Sequence, residues 1–191
     1  MQRGIKGRHS TRLKNYDYSK AGIYFVTICV KDRKNLFGKI KGEEMILNDL
    51  GKIIEAEWLN IPGNYLNIEL DEFIIMPNHL HGIVIINDVI NIIGAIHGDD
   101  SRFVEAIHEL PLQSGLARRK MLIPKIIGFF KMNSAKQINH NLNRTGTSVW
   151  QRNYYDHIIR NEQSLNRIRQ YIYNNPGNWP LDPENPNNKI K

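Results

Sequence analysis

The sequence predicts an α+β domain in which strand–helix units share one antiparallel sheet. Three observations predict it: runs rich in β-branched and aromatic residues, apolar stripes at helical spacing, and the alternation of the two along the chain. With 191 residues, the chain is long enough for one domain with a sizeable core. We expect a single domain over residues 1–191, with a basic arm at 1–20, an insertion or mobile loop at 87–123 and a tail at 177–191.

The first half of the chain predicts a strand, a short hairpin and a helix. GIYFVTICVKDR, from residue 22, has strand composition, and KNLFGKIKGEEMILN is typical of a hairpin around Gly42. NDLGKIIEAEWLNIP predicts a helix that Asn48 or Asp49 caps and Pro62 ends. Its apolar stripe contains Leu50, Ile53, Ile54 and Trp58.

The second half predicts two strands, a helix, a strand and a last helix. NIELDEFIIMP and HLHGIVIIN are the strands, and the helix extends from Pro124. SVWQRNYYDHIIR has strand composition, and the stretch after Asn161 has a helical stripe that ends before Pro176. The resulting order predicts a ferredoxin-like split βαβ sandwich, with helices on one face of the sheet, plus a C-terminal helix. The Pro- and Asn-rich tail is predicted to fray.

Composition and charge restrict the function classes. The net charge of +7 and the pI of about 9.5 favour a polyanionic partner, nucleic acid before a membrane surface. No apolar run approaches the roughly 18 residues of a membrane span, and a lone cysteine, Cys29, makes no internal disulfide. We therefore expect a soluble, cytoplasmic protein in which Cys29 is a small core residue.

Two histidines, His79 and His81, stand one residue apart in MPNHLHGIV. Side chains at i and i+2 of a strand point to the same face, so two imidazoles at this spacing can hold one divalent ion. Leu80 would point the other way, into packing. The alternative is a pair of half-exposed strand histidines, because a short H-x-H motif also occurs by chance.

The last helix presents Tyr171 on the shoulder of its apolar stripe, and Asn175 lies one turn further along that shoulder. A tyrosine hydroxyl and an amide oxygen are thus offered together at the edge of the core. The alternative for Tyr171 is an amphipathic boundary residue with a buried ring and a hydrated hydroxyl.

Three segments together resemble a known family: MPNHLHGIV, IIGFFKMNSAKQIN and VWQRNYYDHIIRNEQSLNRIRQYIYNNP. They are similar to the single-tyrosine HUH transposases, most closely the REP-associated tyrosine transposases. The resemblance extends from about residue 8 to about residue 180, except the 87–123 insertion. It implies that His79 and His81 bind a catalytic Mg²⁺ or Mn²⁺ ion, that Tyr171 is the nucleophile, and that Asn175 can complete the metal site.

The activity that the resemblance implies is metal-dependent nicking and rejoining of single-stranded DNA beside a hairpin, through a 5′-phosphotyrosine intermediate. It also implies a cytoplasmic, nucleoid-associated protein, with a homodimer left open. Tyr171 must lose its proton at or before attack. His157 is a candidate base, and a structural role for it is an equal alternative.

A basic segment fits a DNA partner, because residues 115–150 contain seven Lys or Arg and no Asp or Glu. Trp150, Tyr154 and Tyr155 could stack on unpaired bases, although core packing is favoured for Trp150. The side chains expected to contact DNA phosphates are Arg8, Arg12, Arg118, Arg119, Lys120, Lys125, Lys131, Lys136 and Arg152.

Two other function classes remain at this point. One is a catalytically silent or domesticated sequence-specific DNA-binding protein of the same fold. The other is a barrel-type metal hydrolase, which is disfavoured because that fold needs roughly 250 residues and repeated βα units.

Overall fold

The computed structural model describes residues 20–88 and 121–189. Residues 1–19 of the predicted arm and residues 89–120 of the predicted insertion lie outside these residues. The elements in chain order are β1 (Gly22–Cys29), a 3₁₀ turn (Lys31–Arg33), β2 (Gly38–Lys41), β3 (Glu44–Leu47), α1 (Asp49–Leu59), α2 (Ile61–Asn64), β4 (Ile68–Met76), β5 (His79–Ile86), α3 (Leu122–Asn141), β6 (Tyr155–Ile159), α4 (Glu162–Asn174), and two 3₁₀ turns (Trp179–Leu181 and Pro186–Lys189).

The main sheet has four strands in the order β4-β5-β1-β6, and all of its pairs are antiparallel. This order is that of a ferredoxin-like sandwich, so the predicted fold class is confirmed. The strands β2 and β3 form the separate hairpin expected around Gly42. In the β1–β5 register Thr27 lies opposite His81 and Cys29 lies opposite His79.

The two faces of the sheet carry different layers. Helices α1 and α3 cover one face, where Tyr24, Leu80 and Val84 pack with Trp58 and Phe130 in the main core. Helix α4 covers the other face over a smaller cluster of Phe25, Ile83, Ile159, Leu165 and Ile172. Because β5 alternates, Leu80 faces the main core while its two histidine neighbours face the α4 side.

Local signals positioned the starts of the helices as predicted, whereas α1 ends at Leu59 and Pro62 lies in the first turn of α2 instead of ending α1. The Asn48 and Asn161 side chains accept hydrogen bonds from Gly51 N (2.9 Å) and Ser164 N (2.8 Å), which caps α1 and α4. Helix α3 begins at Leu122, two residues before Pro124, whose missing N–H is harmless in a first turn.

Two expectations about the last 44 residues were wrong. The strand predicted from Ser148 covers only Tyr155–Ile159, because the preceding Trp150 makes one isolated bridge to Val30 and packs in the core. The tail does not fray between Trp179 and Asn188. It forms two turns, and Asp182 and Asn185 are buried.

No helix within residues 20–88 and 121–189 is both long enough and apolar enough to cross a membrane.

Candidate metal and tyrosine site

The two histidines of β5 meet beneath α4. Their Nε2 atoms are 3.0 Å apart, and both side chains are buried. This separation matches that of two adjacent ligands, each about 2.1 Å from an octahedral metal ion. The strand geometry expected from the sequence is therefore present.

Asn78, directly before the pair, determines the tautomer of His79. Its Nδ2 donates to the carbonyl oxygens of Arg33 (3.0 Å) and Glu184 (2.8 Å), so its Oδ1 must be the atom 2.8 Å from His79 Nδ1. An amide oxygen only accepts, so His79 Nδ1 carries the proton and its Nε2 offers a lone pair. Such a partner is what orients a metal-ligating histidine.

His81 is positioned by neighbours on β1. Its Nδ1 lies 2.8 Å from Thr27 Oγ1, and the Phe25 ring stacks on its imidazole with centroids 5.4 Å apart. A hydroxyl can donate or accept, so either tautomer of His81 is satisfied. A single proton can lie between the two Nε2 atoms. A metal cation bound by both atoms would replace that proton.

Both imidazoles are neutral at pH 7. Burial, and then the nearby Arg33 charge, lowers the pKa of His79 to about 3. Burial, and then His79, lowers the pKa of His81 well below its usual value. Neutral imidazole is the form that ligates metal. The 3.8 Å contact from His79 Nε2 to Asp182 Oδ2 is consequently not an ion pair.

Asp182 is the functional candidate that the sequence did not suggest. One oxygen of its buried carboxyl lies with the His79 and His81 nitrogens in a cluster whose ligand atoms are all within 4.8 Å of one another. Burial raises its pKa, against a hydrogen bond from Glu184 N that lowers it. Two imidazoles and a carboxylate form a donor set that fits a divalent metal ion.

The tail is held in place by Arg33. Its Nε lies 2.8 Å from Glu184 Oε2, and its guanidinium also donates to Pro183 O at 3.3 Å. Arg33 itself adopts a left-handed backbone with φ of 54°. No sequence period signals this contact, because the tail and the β1–β2 loop are about 150 residues apart in the chain.

Tyr171 reaches the histidine pair. Its hydroxyl lies 3.2 Å from His81 Nε2, and its ring packs edge-on against Phe25. The next residue, Ile172, is buried, which leaves Tyr171 on the shoulder and 45% exposed. Burial, and then the Asp182 charge, raises the pKa of Tyr171, while the Asn175 side chain lowers it.

The predicted ligand Asn175 lies beside Tyr171. It is 2% exposed, and its Oδ1 has no hydrogen-bond partner among residues 20–88 and 121–189. An unpaired buried oxygen of this kind is costly unless a ligand satisfies it. The role of Asn175 as a metal ligand stays a prediction. The structure adds Asp182 as a second candidate ligand.

A central cleft of about 450 Å³ opens at this cluster. It is lined by His81, Tyr171 and Asp182, together with polar groups of the loop before β6 such as Gln151.

Cys29 also lines the central cleft and is only partly buried, so its assignment to the core was wrong. Burial and Glu184 raise the pKa of the Cys29 thiol to about 12, so the thiol is a poor nucleophile.

The basic residues expected to bind DNA occupy different places. Lys125 and Lys136 are exposed on α3, which covers the face of the sheet away from the cleft, whereas Arg152 is exposed in the cleft loop. Lys131 Nζ donates to the carbonyl oxygens of Gln151, Arg152 and Asn153, and burial lowers its pKa to about 8. Outside the described residues lie Arg8, Arg12, Arg118, Arg119 and Lys120.

The aromatic residues predicted to stack on bases, and the candidate base His157, also lie in different places. Trp150 is in the core and donates to Ser134 Oγ at 3.0 Å, as favoured from the sequence. Tyr155 is 48% exposed and lines the central cleft. His157 is exposed two residues further along β6, and a different cleft contains it.

Two proteins of Haemophilus influenzae are similar in sequence. An uncharacterized protein is 42% identical over 180 residues, which cover 94% of this chain and 93% of that protein. A protein provisionally named a REP-associated tyrosine transposase is 25% identical over 167 residues, which cover 86% of this chain and 76% of that protein. No family model matches the chain.

Two solved structures are similar in fold. A REP-associated tyrosine transposase bound to a REP hairpin has a TM-score of 0.48 at 18% identity, covering 86% of this chain and 72% of that one. A provisionally described transposase from Deinococcus radiodurans has a TM-score of 0.44 at 15% identity, covering 91% of this chain and 97% of that one.

The ferredoxin-like sheet with an H-x-H pair beneath a tyrosine helix is the arrangement that the resemblance to the single-tyrosine HUH transposases implies. The chain belongs to one family with the uncharacterized Haemophilus protein, and it is similar to the REP-associated tyrosine transposases, as its sequence motifs predict.

Proposed function

We propose that this protein is a DNA transposase that cuts and rejoins single-stranded DNA at hairpin-bearing elements, with Tyr171 as the nucleophile. One observation carries the proposal: the Tyr171 hydroxyl lies 3.2 Å from His81 Nε2, inside a cluster able to bind a divalent metal ion. The alternative role of Tyr171, a structural residue at the edge of the core, does not require its hydroxyl to lie beside candidate metal ligands.

The proposed metal ion is Mg²⁺ or Mn²⁺, held by His79, His81 and Asp182, with Asn175 as a further candidate ligand. Neutral imidazoles, a buried carboxyl and an unpaired amide oxygen make this donor set suitable. When bound, the ion supplies Lewis-acid stabilisation of the charge on the scissile phosphate.

In the covalent step, Tyr171 Oη forms a bond to phosphorus while the bond from phosphorus to the 3′ oxygen breaks. The products are a 5′-phosphotyrosine and a free 3′-hydroxyl, so the proton lost by tyrosine balances the one gained by the leaving oxygen. Attack by a 3′-hydroxyl reverses the step and frees Tyr171. Because no bond energy is lost to water, the DNA can be rejoined without a further cofactor.

The residues around Tyr171 organise the step. The Phe25 ring packs edge-on against the Tyr171 ring, the buried Ile172 anchors the helix beside it, and the exposed half of the Tyr171 side chain gives the phenolic proton a route to solvent. The polar cleft wall at Thr27 and Gln151 offers groups for the phosphate and sugar, and Lys131 keeps the neighbouring loop in place.

A labelled-adduct assay tests the proposal. The full chain is incubated with Mn²⁺ and a pool of DNA hairpins that carry randomised single-stranded flanks. A 3′-end label should migrate with the protein in denaturing gels, whereas a 5′-end label should appear on a shortened free strand. Sequencing of the protein-linked strands then identifies the cleavage site.

Tyr173 provides a matched control, since it lies on the same helix and is 79% exposed. Tyr171→Phe and chelation with EDTA should both abolish the adduct, and Tyr173→Phe should retain it. DNA binding without an adduct from any pool member would reject the nuclease and favour the catalytically silent DNA-binding protein.

A further inference from the structure

A second cleft, here called the flanking cleft, lies beside the central one on the same face of the sheet. It has a volume of about 270 Å³ and is lined by Phe25, Tyr155, His157, Ser164, Arg167 and Ile168. Phe25 and Tyr155 belong to both clefts, so the two are neighbouring parts of one groove.

The groove has a direction. From the central to the flanking cleft, the lining residues advance on β6 from Tyr155 to His157 and go back on α4 from Tyr171 to Arg167. Strand and helix therefore run antiparallel along its two sides. Tyr155 and His157 are about 6.6 Å apart along β6. Arg167 and Tyr171 are separated by about 6 Å along α4.

The chemistry of the flanking cleft suits one nucleotide. Phe25 and Ile168 form an apolar floor, and Tyr155 is a half-exposed aromatic wall on which a base can stack. Arg167 is exposed, and its guanidinium makes one hydrogen bond among the described residues, to Ser164 Oγ at 3.1 Å. A guanidinium has five donors, so others are available for a phosphate.

The charges separate the two clefts. The central cleft contains Asp182 and Glu184, which suits a cation, whereas no carboxylate is among the described residues that line the flanking cleft. Its volume, near the lower end of the range of about 300–1,000 Å³ for ligand pockets, suits a single nucleotide.

We infer that the flanking cleft is a nucleotide-binding subsite that holds the base and phosphate next to the scissile phosphate of single-stranded DNA. The inference rests on the proposed function for its substrate. It assigns Tyr155 to base stacking and Arg167 to the adjacent phosphate. Tyr171 lies one helical turn from Arg167. When the scissile phosphate of a DNA strand in the groove is at Tyr171, the neighbouring nucleotide of that DNA strand therefore lies in the flanking cleft.

A binding experiment tests the subsite separately from catalysis. The probe is a short thymidine oligonucleotide that carries 5-iodouracil, and the protein background is Tyr171→Phe, so that no covalent link forms by the proposed chemistry. Affinity is measured by fluorescence anisotropy at low ionic strength, and the photocrosslink is mapped by mass spectrometry. Variants Arg167→Gln and Tyr155→Leu are compared with Lys52→Gln, which removes a charge from α1 on the opposite layer.

Both subsite variants should weaken binding at least about fivefold relative to Lys52→Gln, as loss of one stacked base or phosphate contact does. The crosslink should map to Tyr155 or His157. Because Arg167 and Tyr155 are exposed, their variants should unfold at the same temperature as the parent. Affinities within twofold of Lys52→Gln and a crosslink outside residues 155–168 would overturn the subsite.

The two proposals can fail independently. If the adduct assay is negative but the crosslink and the Arg167 effect are present, the nuclease is refuted, and the flanking cleft is supported as a binding site for single-stranded DNA without a scissile phosphate. If adducts form while Arg167→Gln and Tyr155→Leu bind like Lys52→Gln, the subsite is refuted and the nuclease is supported.

Discussion

Asn78 joins three parts of the site, so its replacement by alanine tests how the site is organised. Its side chain accepts from His79 Nδ1 and donates to the carbonyl oxygens of Arg33 and Glu184, at 2.8–3.0 Å. Alanine leaves these three groups unpaired. It therefore removes both the orientation of His79 and a tie between the tail and the β1–β2 loop.

The magnitude follows from these three hydrogen bonds. At about 1 kcal/mol each, their loss should lower the free energy of unfolding by about 3 kcal/mol. For a chain of this size that lowers Tm by about 6–12 °C. Loss of the partner of a metal-ligating histidine should also weaken metal binding about 10–100-fold.

Thermal unfolding with and without Mn²⁺ separates the two effects. At a Mn²⁺ concentration of about 100 times the wild-type Kd, binding stabilises the parent by about 2.7 kcal/mol. A Kd raised 10–100-fold reduces this to about 0.4–1.4 kcal/mol for Asn78→Ala.

Asn139 is the matched control, because it is a buried asparagine with two hydrogen bonds, to Thr147 O (2.8 Å) and from Arg144 Nε (2.9 Å). Asn139→Ala should lose stability but keep the full stabilisation by Mn²⁺. Equal Mn²⁺ stabilisation of Asn78→Ala and the parent would refute the proposed role of Asn78.

Three other variants test separate features. Asp182→Asn should weaken Mn²⁺ binding in calorimetry at least about tenfold while Glu184→Gln changes it less, and equal affinities would exclude Asp182 as a ligand. Asp71 lies 2.8 Å from Arg169 Nε, and this hydrogen bond lowers its pKa, so the pair stabilises the fold above the unfolded pKa of about 3.9. The stability difference between the parent and Asp71→Asn should shrink as the pH falls below about 4 and through the lowered pKa of Asp71 in denaturant titrations, and a pH-independent difference would contradict this. A Cβ at Gly82 would lie 2.4 Å from a buried Trp58 ring atom, so Gly82→Ala should cost about 1–3 kcal/mol in denaturant unfolding, whereas an unchanged midpoint would mean that the ring moves freely.

The secondary-structure elements and one half of the site could be predicted because their signals are local. A period of two places His79 and His81 on one face of β5 and Leu80 on the other, and the structure has this arrangement. Helical spacing placed Tyr171 on the shoulder of a stripe ending at Ile172. The family resemblance, carried by the same residues, connected these two features across ninety residues.

The remaining part of the site depends on contacts without a local pattern. The tail was predicted to fray from its Pro and Asn content, yet Arg33 and Asn78 hold it so that Asp182 joins the histidines. Lys131 was predicted to contact DNA because it lies in a basic segment, yet its ammonium group donates to three loop carbonyls. Cys29 was predicted to be a core residue because it lies in an apolar run, yet it lines the central cleft.

By itself, then, the sequence determined the elements, the face on which the histidines lie and the helix that carries the tyrosine, since periodicity and capping act within a few residues. Only the tertiary structure decided that α4 covers the sheet face opposite α1 and α3, and that the tail closes on His79. Those choices depend on contacts between side chains that are distant in sequence, such as Ile172 and Ile83 in one buried cluster and the ion pair of Glu184 with Arg33.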